Sequence, residues 1–102
     1  MNSLIEAKRT DLDRICRLHH VRQMDVFGSA IRNDFDPEDS DLDFLVTFEP
    51  LAAGQHADAY FGLLEDLEHL FGRPVDLVVD SAIKNPYFRQ AVESSKMLVY
   101  AA

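Results

Sequence analysis

Apolar positions along this chain follow two periods, and the change from one to the other marks its elements. Leu42, Phe44, Val46 and Phe48 alternate with Asp41, Asp43, Leu45 and Thr47, a period of two that predicts a strand from Leu42 to Phe48. Val21 to Phe27 and Val75 to Val79 read as two further strands. Leu4, Ala7, Leu12, Ile15, Cys16 and Leu18 can instead form one stripe on a helix from Leu4 to His19, opened by a capping box at Ser3-x-x-Glu6. Ala57, Tyr60, Phe61, Leu64, Leu67 and Phe71 recur at helical spacing after a loop marked by Pro50 and Gly54, and Gly72-Arg73-Pro74 supplies the stop. The stripe of Tyr60, Phe61, Leu64 and Leu67 is expected in the core.

Shorter elements fill the remainder. Ser29 to about Asn33 is expected to form a short helix, followed by an acidic loop from Asp34 to Asp39 broken by Pro37. Asn85-Pro86 opens a last short helix with proline in its first turn, and Met97 to Tyr100 packs as a terminal strand or an extended tail. A helix separates the strands at Leu42 and Val75, so these two are expected to be parallel neighbours joined by a crossover. The fold class is α/β, a small mixed sheet flanked by helices.

Length and charge narrow the function. With 102 residues the chain reads as a single domain, residues 1–102, with room for a core but none for a second lobe. The net charge is −8: residues 1–32 carry six Lys or Arg against four acids, and residues 33–102 four against fourteen. An acidic chain is a poor non-specific binder of nucleic acid, because phosphate contacts depend on Lys and Arg releasing counterions. A protein partner fits this charge better than DNA or RNA does. Cys16 is the lone cysteine, so no intrachain disulfide forms, and it reads as a small apolar residue on a helix face. No signal-like or membrane-length apolar segment is present, so the expected location is cytoplasmic.

The chemistry lies in four places. Val26-Phe27 runs into Gly28-Ser29, where a strand turns sharply and a helix begins; unpaired N–H groups there, the helix dipole and the serine hydroxyl suit an anion such as a phosphate. Asp41 and Asp43 share one face of a strand, although aspartate is a poor strand residue, and Asp76 interrupts another apolar strand in the same way. Residues i and i+2 of a strand lie roughly 6.5 to 7 Å apart and the next strand about 4.8 Å away, so the three carboxylates are expected to converge. Convergence without cations would be repulsive. The arrangement makes sense as a seat for two Mg²⁺ ions roughly 3.5 to 4 Å apart.

Other polar groups take plainer readings. The run Asp34-x-Asp36-x-Glu38-Asp39 lacks the sixth-position glycine and the closing bidentate glutamate of a calcium loop, and reads as solvated. His19-His20 lacks zinc partners at ligand spacing and reads as a helix end. Lys96 is either a surface charge or a triphosphate contact. Arg32, three residues past Ser29, is within reach of a phosphate or is a surface arginine.

Gly28-Ser29, an eleven-residue interval, Asp41-x-Asp43 and the later Asp76 together resemble the signature of the DNA polymerase beta-like nucleotidyltransferase superfamily. More closely, the chain resembles its minimal members, the MNT-type antitoxins usually paired with a HEPN-domain toxin. The likeness runs from Val26-Phe27-Gly28-Ser29-Ala30 to Leu98-Val99-Tyr100, with one departure: Arg32-Asn33 stands where those members usually carry Arg-Gly. Asparagine tolerates a left-handed backbone better than most residues. The resemblance implies the polymerase beta-like fold and a Mg²⁺-dependent transfer of a nucleoside monophosphate, AMP from ATP, to a hydroxyl, with a tyrosine of a cognate HEPN toxin as acceptor. It further implies Gly28 and Ser29 on the β- and γ-phosphates, Asp41 and Asp43 bridging both metals, and Asp76 completing the site beside the acceptor hydroxyl. The alternative is an antitoxin that neutralises its toxin by binding alone. Self-association is left open.

Overall fold

Strand β2, Leu42–Phe48, runs through the middle of the chain's only sheet among the described residues, with β1, Val21–Phe27, antiparallel on one side and β3, Val75–Val79, parallel on the other. A fourth strand, β4, Met97–Ala101, pairs antiparallel with β1, giving the order β3-β2-β1-β4. The expected crossover is therefore present, and the chain's end is a strand. The structure is a computed structural model that describes residues 3–28 and 41–102. Ser29, Arg32, the expected helix from Ser29 to Asn33 and the acidic loop from Asp34 to Asp39 lie outside the described residues, as does the side chain of Ser3 in the expected capping box.

The pleat of β2 sorts its side chains into two layers. Leu42, Phe44 and Val46 face the main core, where they meet Met24 and Val26 of β1 and Val75 and Leu77 of β3, all buried. Three helices cover this face: α1, Ser3–Ala7, α2, Arg9–Leu18, and α3, Gln55–Phe71. The opposite face carries Phe27, Leu45 and Val78, covered by Val92 of helix α4, Pro86–Ser95. That second layer is thin, and the acidic residues stand in it.

Two expectations about the helices need correcting. The segment from Leu4 to His19 is not one helix but two, separated at Lys8. The buried side chains are Ile5, Leu12, Ile15 and Cys16, while Leu18, at the end of α2, is 60% exposed. In α3 the buried residues are Ala59, Leu63, Leu67 and Phe71; Phe61 points outward and is 63% exposed. The helix is apolar on more than one side, and the sheet meets the side that carries Leu63. Helix α3 begins at Gln55 and ends at Gly72, whose φ of 63° and N–H bond to the Glu68 carbonyl, 2.8 Å, close the last turn. Two contacts anchor α3 to β3. The Tyr60 hydroxyl donates to the Leu77 carbonyl at 2.7 Å, and Val75 N–H donates to Glu68 at 3.1 Å.

A further tie holds the helices together. His19, at the C-terminal end of α2, shares a 2.6 Å hydrogen bond with Asp66 of α3. Its ring fills the space left by Gly62, where a Cβ would lie 2.7 Å from Cε1. The reading of His19 as a helix-end residue stands, with a packing role added.

Candidate active site

Pleat and register place the acidic residues. Asp43 is the cross-strand partner of Phe27 on β1 and of Asp76 on β3, so the two carboxylates stand side by side on the thinly covered face. Neighbouring strands lie about 4.8 Å apart, which sets the scale of that pair. Asp41, two residues before Asp43 and just ahead of the strand, is exposed; Asp76 is exposed and Asp43 half-buried. Asp41 lies at the same end of β2 as Asp43. Among the described residues no three His, Cys, Asp or Glu side chains are gathered closely enough to enclose a metal ion. The convergence expected of Asp41, Asp43 and Asp76 is thus a register-set pair with the third acid beside it.

Gly28 follows Phe27 and completes the setting. Its φ of +71° is one that other residues adopt at a cost, and a Cβ placed there would fall 2.5 Å from Asp43 Oδ2. The space a side chain would fill is taken by the carboxylate.

Magnesium suits this donor set. It takes oxygen ligands, is held by one or two carboxylates with substrate phosphates and water completing its shell, and needs no enclosed protein cage. Two aligned carboxylates on an open face, with glycine alongside, match those demands.

Several polar groups of the same face do other work. Asp25, two residues before Phe27 on β1, is 5% exposed and accepts a 3.1 Å hydrogen bond from Gln23 Nε2. Nothing in the sequence distinguished it from a surface acid; only its register opposite Leu45 reveals its burial. Arg89 of α4 donates to the Asp80 carbonyl at 2.8 Å and lies 3.4 Å from both Asp80 Oδ1 and Glu93 Oε1. Lys96 bonds to Glu93 at 2.9 Å. That hydrogen bond holds the ammonium above the usual lysine range, with the charges of Glu93, Asp25 and Asp80 adding to it. Lys96 is accordingly part of the fastening of α4. No helix of the described residues is long and apolar enough to cross a membrane.

Comparison with known proteins agrees with this geometry. The chain matches the nucleotidyltransferase domain family over residues 9–99. A candidate protein adenylyltransferase of Methanocaldococcus jannaschii is 37% identical over 81 residues, 79% of either chain. Among solved structures, a candidate minimal nucleotidyltransferase aligns with a TM-score of 0.75 and 33% identity over 95% of both chains. A chain from a complex of the tri-AMPylated Shewanella oneidensis HEPN toxin with its MNT antitoxin aligns at a TM-score of 0.65 over 96% of this chain and 73% of that one. There the identity is 17%, and the likeness is one of fold.

Proposed function

Because the chain belongs to the nucleotidyltransferase domain family, we propose that it moves AMP from ATP onto a hydroxyl of a partner protein, and that the acceptor is a tyrosine of a HEPN toxin for which it serves as antitoxin. The observation that carries the reading is the register of Asp43 against Asp76 beside Gly28. Three further facts support it: the match to nucleotidyltransferases, the likeness to a protein adenylyltransferase, and a fold shared with a chain from a toxin–antitoxin complex.

In this reading Asp41, Asp43 and Asp76 hold two Mg²⁺ ions, which when bound neutralise charge on the triphosphate. The backbone at Gly28 and Ser29, the Ser29 hydroxyl and Arg32 bind the β- and γ-phosphates. Asp76 lies on the outer side of the carboxylate pair, where the acceptor hydroxyl approaches, and one of its carboxylate oxygens takes the proton. The acceptor oxygen forms its bond to the α-phosphorus as the bond to pyrophosphate breaks. The partner protein holds its own hydroxyl in place at the α-phosphate. The −8 charge favours such a partner over nucleic acid.

Mass measurement tests the proposal directly. Incubated with its HEPN partner, ATP and Mg²⁺, the protein should add AMP to a partner tyrosine, and Asp76→Asn should abolish the addition while the two chains still associate. If no modified partner forms and Asp76→Asn still neutralises the toxin fully in cells, binding alone accounts for the activity.

A further inference from the structure

The first turn of α4 displays two aromatic residues that the core does not absorb: Tyr87 is 82% exposed and Phe88 41%. Their backbone is well fixed, since the Asn85 side chain accepts from Tyr87 N–H at 2.8 Å and Phe88 N–H at 3.2 Å. Phe88 packs edge-on against Phe27, with ring centroids 6.2 Å apart and planes at 73°. Phe27 is the register partner of Asp43. A line of neighbours therefore runs from the carboxylate pair through Phe27 to the half-exposed ring of Phe88.

The helix periodicity sets which way that ring looks. Arg89, Glu93 and Lys96 lie on one stripe of α4 and bind one another and Asp80. Val92 is next round the helix and faces the sheet. Phe88 lies beyond Val92, on the side away from the charged stripe, and its contact with Phe27 puts that side at the Asp43 end of the sheet. Phe88 is held from below by Phe27 and open above, on the same face of the sheet as Asp43.

We propose that Phe88, backed by Phe27 and flanked by Tyr87, is the surface on which the purine base of the nucleoside triphosphate stacks. This rests on the nucleotidyltransferase reading of the carboxylate pair. A flat aromatic face binds a base through its π surface and tolerates different bases, and the larger purines overlap it most. The role belongs to positioning: with the base fixed at one end and the phosphates at the other, the α-phosphorus is left in one place relative to Asp43 and Asp76.

The chain contains no tryptophan, so Phe88→Trp introduces a single fluorophore at the platform. Equilibrium binding is measured for Mg–ATP and, as a base-free probe, Mg–tripolyphosphate, with nucleotide-free melting as a check on folding. Phe88→Leu keeps apolar cover over Phe27 and should lose about tenfold or more in Mg–ATP affinity while binding tripolyphosphate like the wild type. Phe88→Trp should retain Mg–ATP affinity, with emission quenched by Mg–ATP and not by tripolyphosphate. Equal Mg–ATP binding by Phe88→Leu and wild type overturns the proposal, as does an equal loss for both probes, which would make Phe88 a support of the fold. If wild type binds neither probe, the nucleotide site itself is refuted and the platform with it.

Discussion

Gly28 and Asp43 compete for one volume: a Cβ on the glycine would lie 2.5 Å from Asp43 Oδ2, and the glycine backbone has a φ of +71°. Any other residue at 28 has to strain its backbone and push the carboxylate aside. The turn that ends β1 and the position of Asp43 are consequently one structural feature.

Gly28→Ala should cost about 1–3 kcal/mol of stability through the left-handed φ and the contact. In a chain of this size that lowers Tm by several degrees. Urea unfolding measures the first effect; AMP transfer, expected to fall further than stability explains, measures the displacement of Asp43.

Asp76→Asn relieves like-charge repulsion with Asp43 at an exposed position, so the metal-free protein should melt at the same temperature or slightly higher while transfer is lost. Asp43→Asn should behave likewise. A large fall in Tm for either variant would make that carboxylate a support of the fold.

Nucleotide binding should depend on metal. ATP with Mg²⁺ should raise Tm more than ATP with a chelator, since phosphates and carboxylates repel one another until cations separate them. Equal shifts in differential scanning fluorimetry would count against the assigned site.

Gly62→Ala reverses the usual rule for helices. Alanine is ordinarily better than glycine by about 1 kcal/mol in a helix interior. Here the new Cβ would lie 2.7 Å from the His19 ring, which Asp66 holds at 2.6 Å, so the substitution should destabilise. Adding His19→Ala removes the clash, and in a double-mutant cycle Gly62→Ala should become stabilising in that background.

Cys16 is fully buried, and burial, with the charge of Asp13 adding, pushes its thiol up from 9.0 to about 12. The native protein should resist thiol reagents at pH 8 and react on unfolding. The unfolded chain loses this proton first. The contribution to stability is therefore complete below about pH 9 and is lost as pH rises towards about 12. Cys16→Ala should flatten the stability profile across that window.

Local signals carried much of this molecule. The alternation in Leu42 to Phe48 placed Asp43 on the face opposite Phe44, and Gly72 and Asn85 marked a helix end and a helix start where the structure has them. A period of two, a left-handed glycine and a side-chain cap each act within a few residues, so they are legible without the fold. Gly28, Asp43 and Asp76 stood out because glycine at a strand end and aspartate inside a strand break local preference. The remainder depended on partners far along the chain. Phe61 stood in the expected core stripe and Leu63 outside it until the sheet settled against one side of α3, and Leu18 is exposed because the core meets the side of α2 that carries Leu12, Ile15 and Cys16. The burial of Asp25, the bond from His19 to Asp66 and the seating of Phe88 on Phe27 arise from packing across 20 or more residues of chain. An amphipathic pattern states which residues can be buried together; which of them are is decided by the surface they meet.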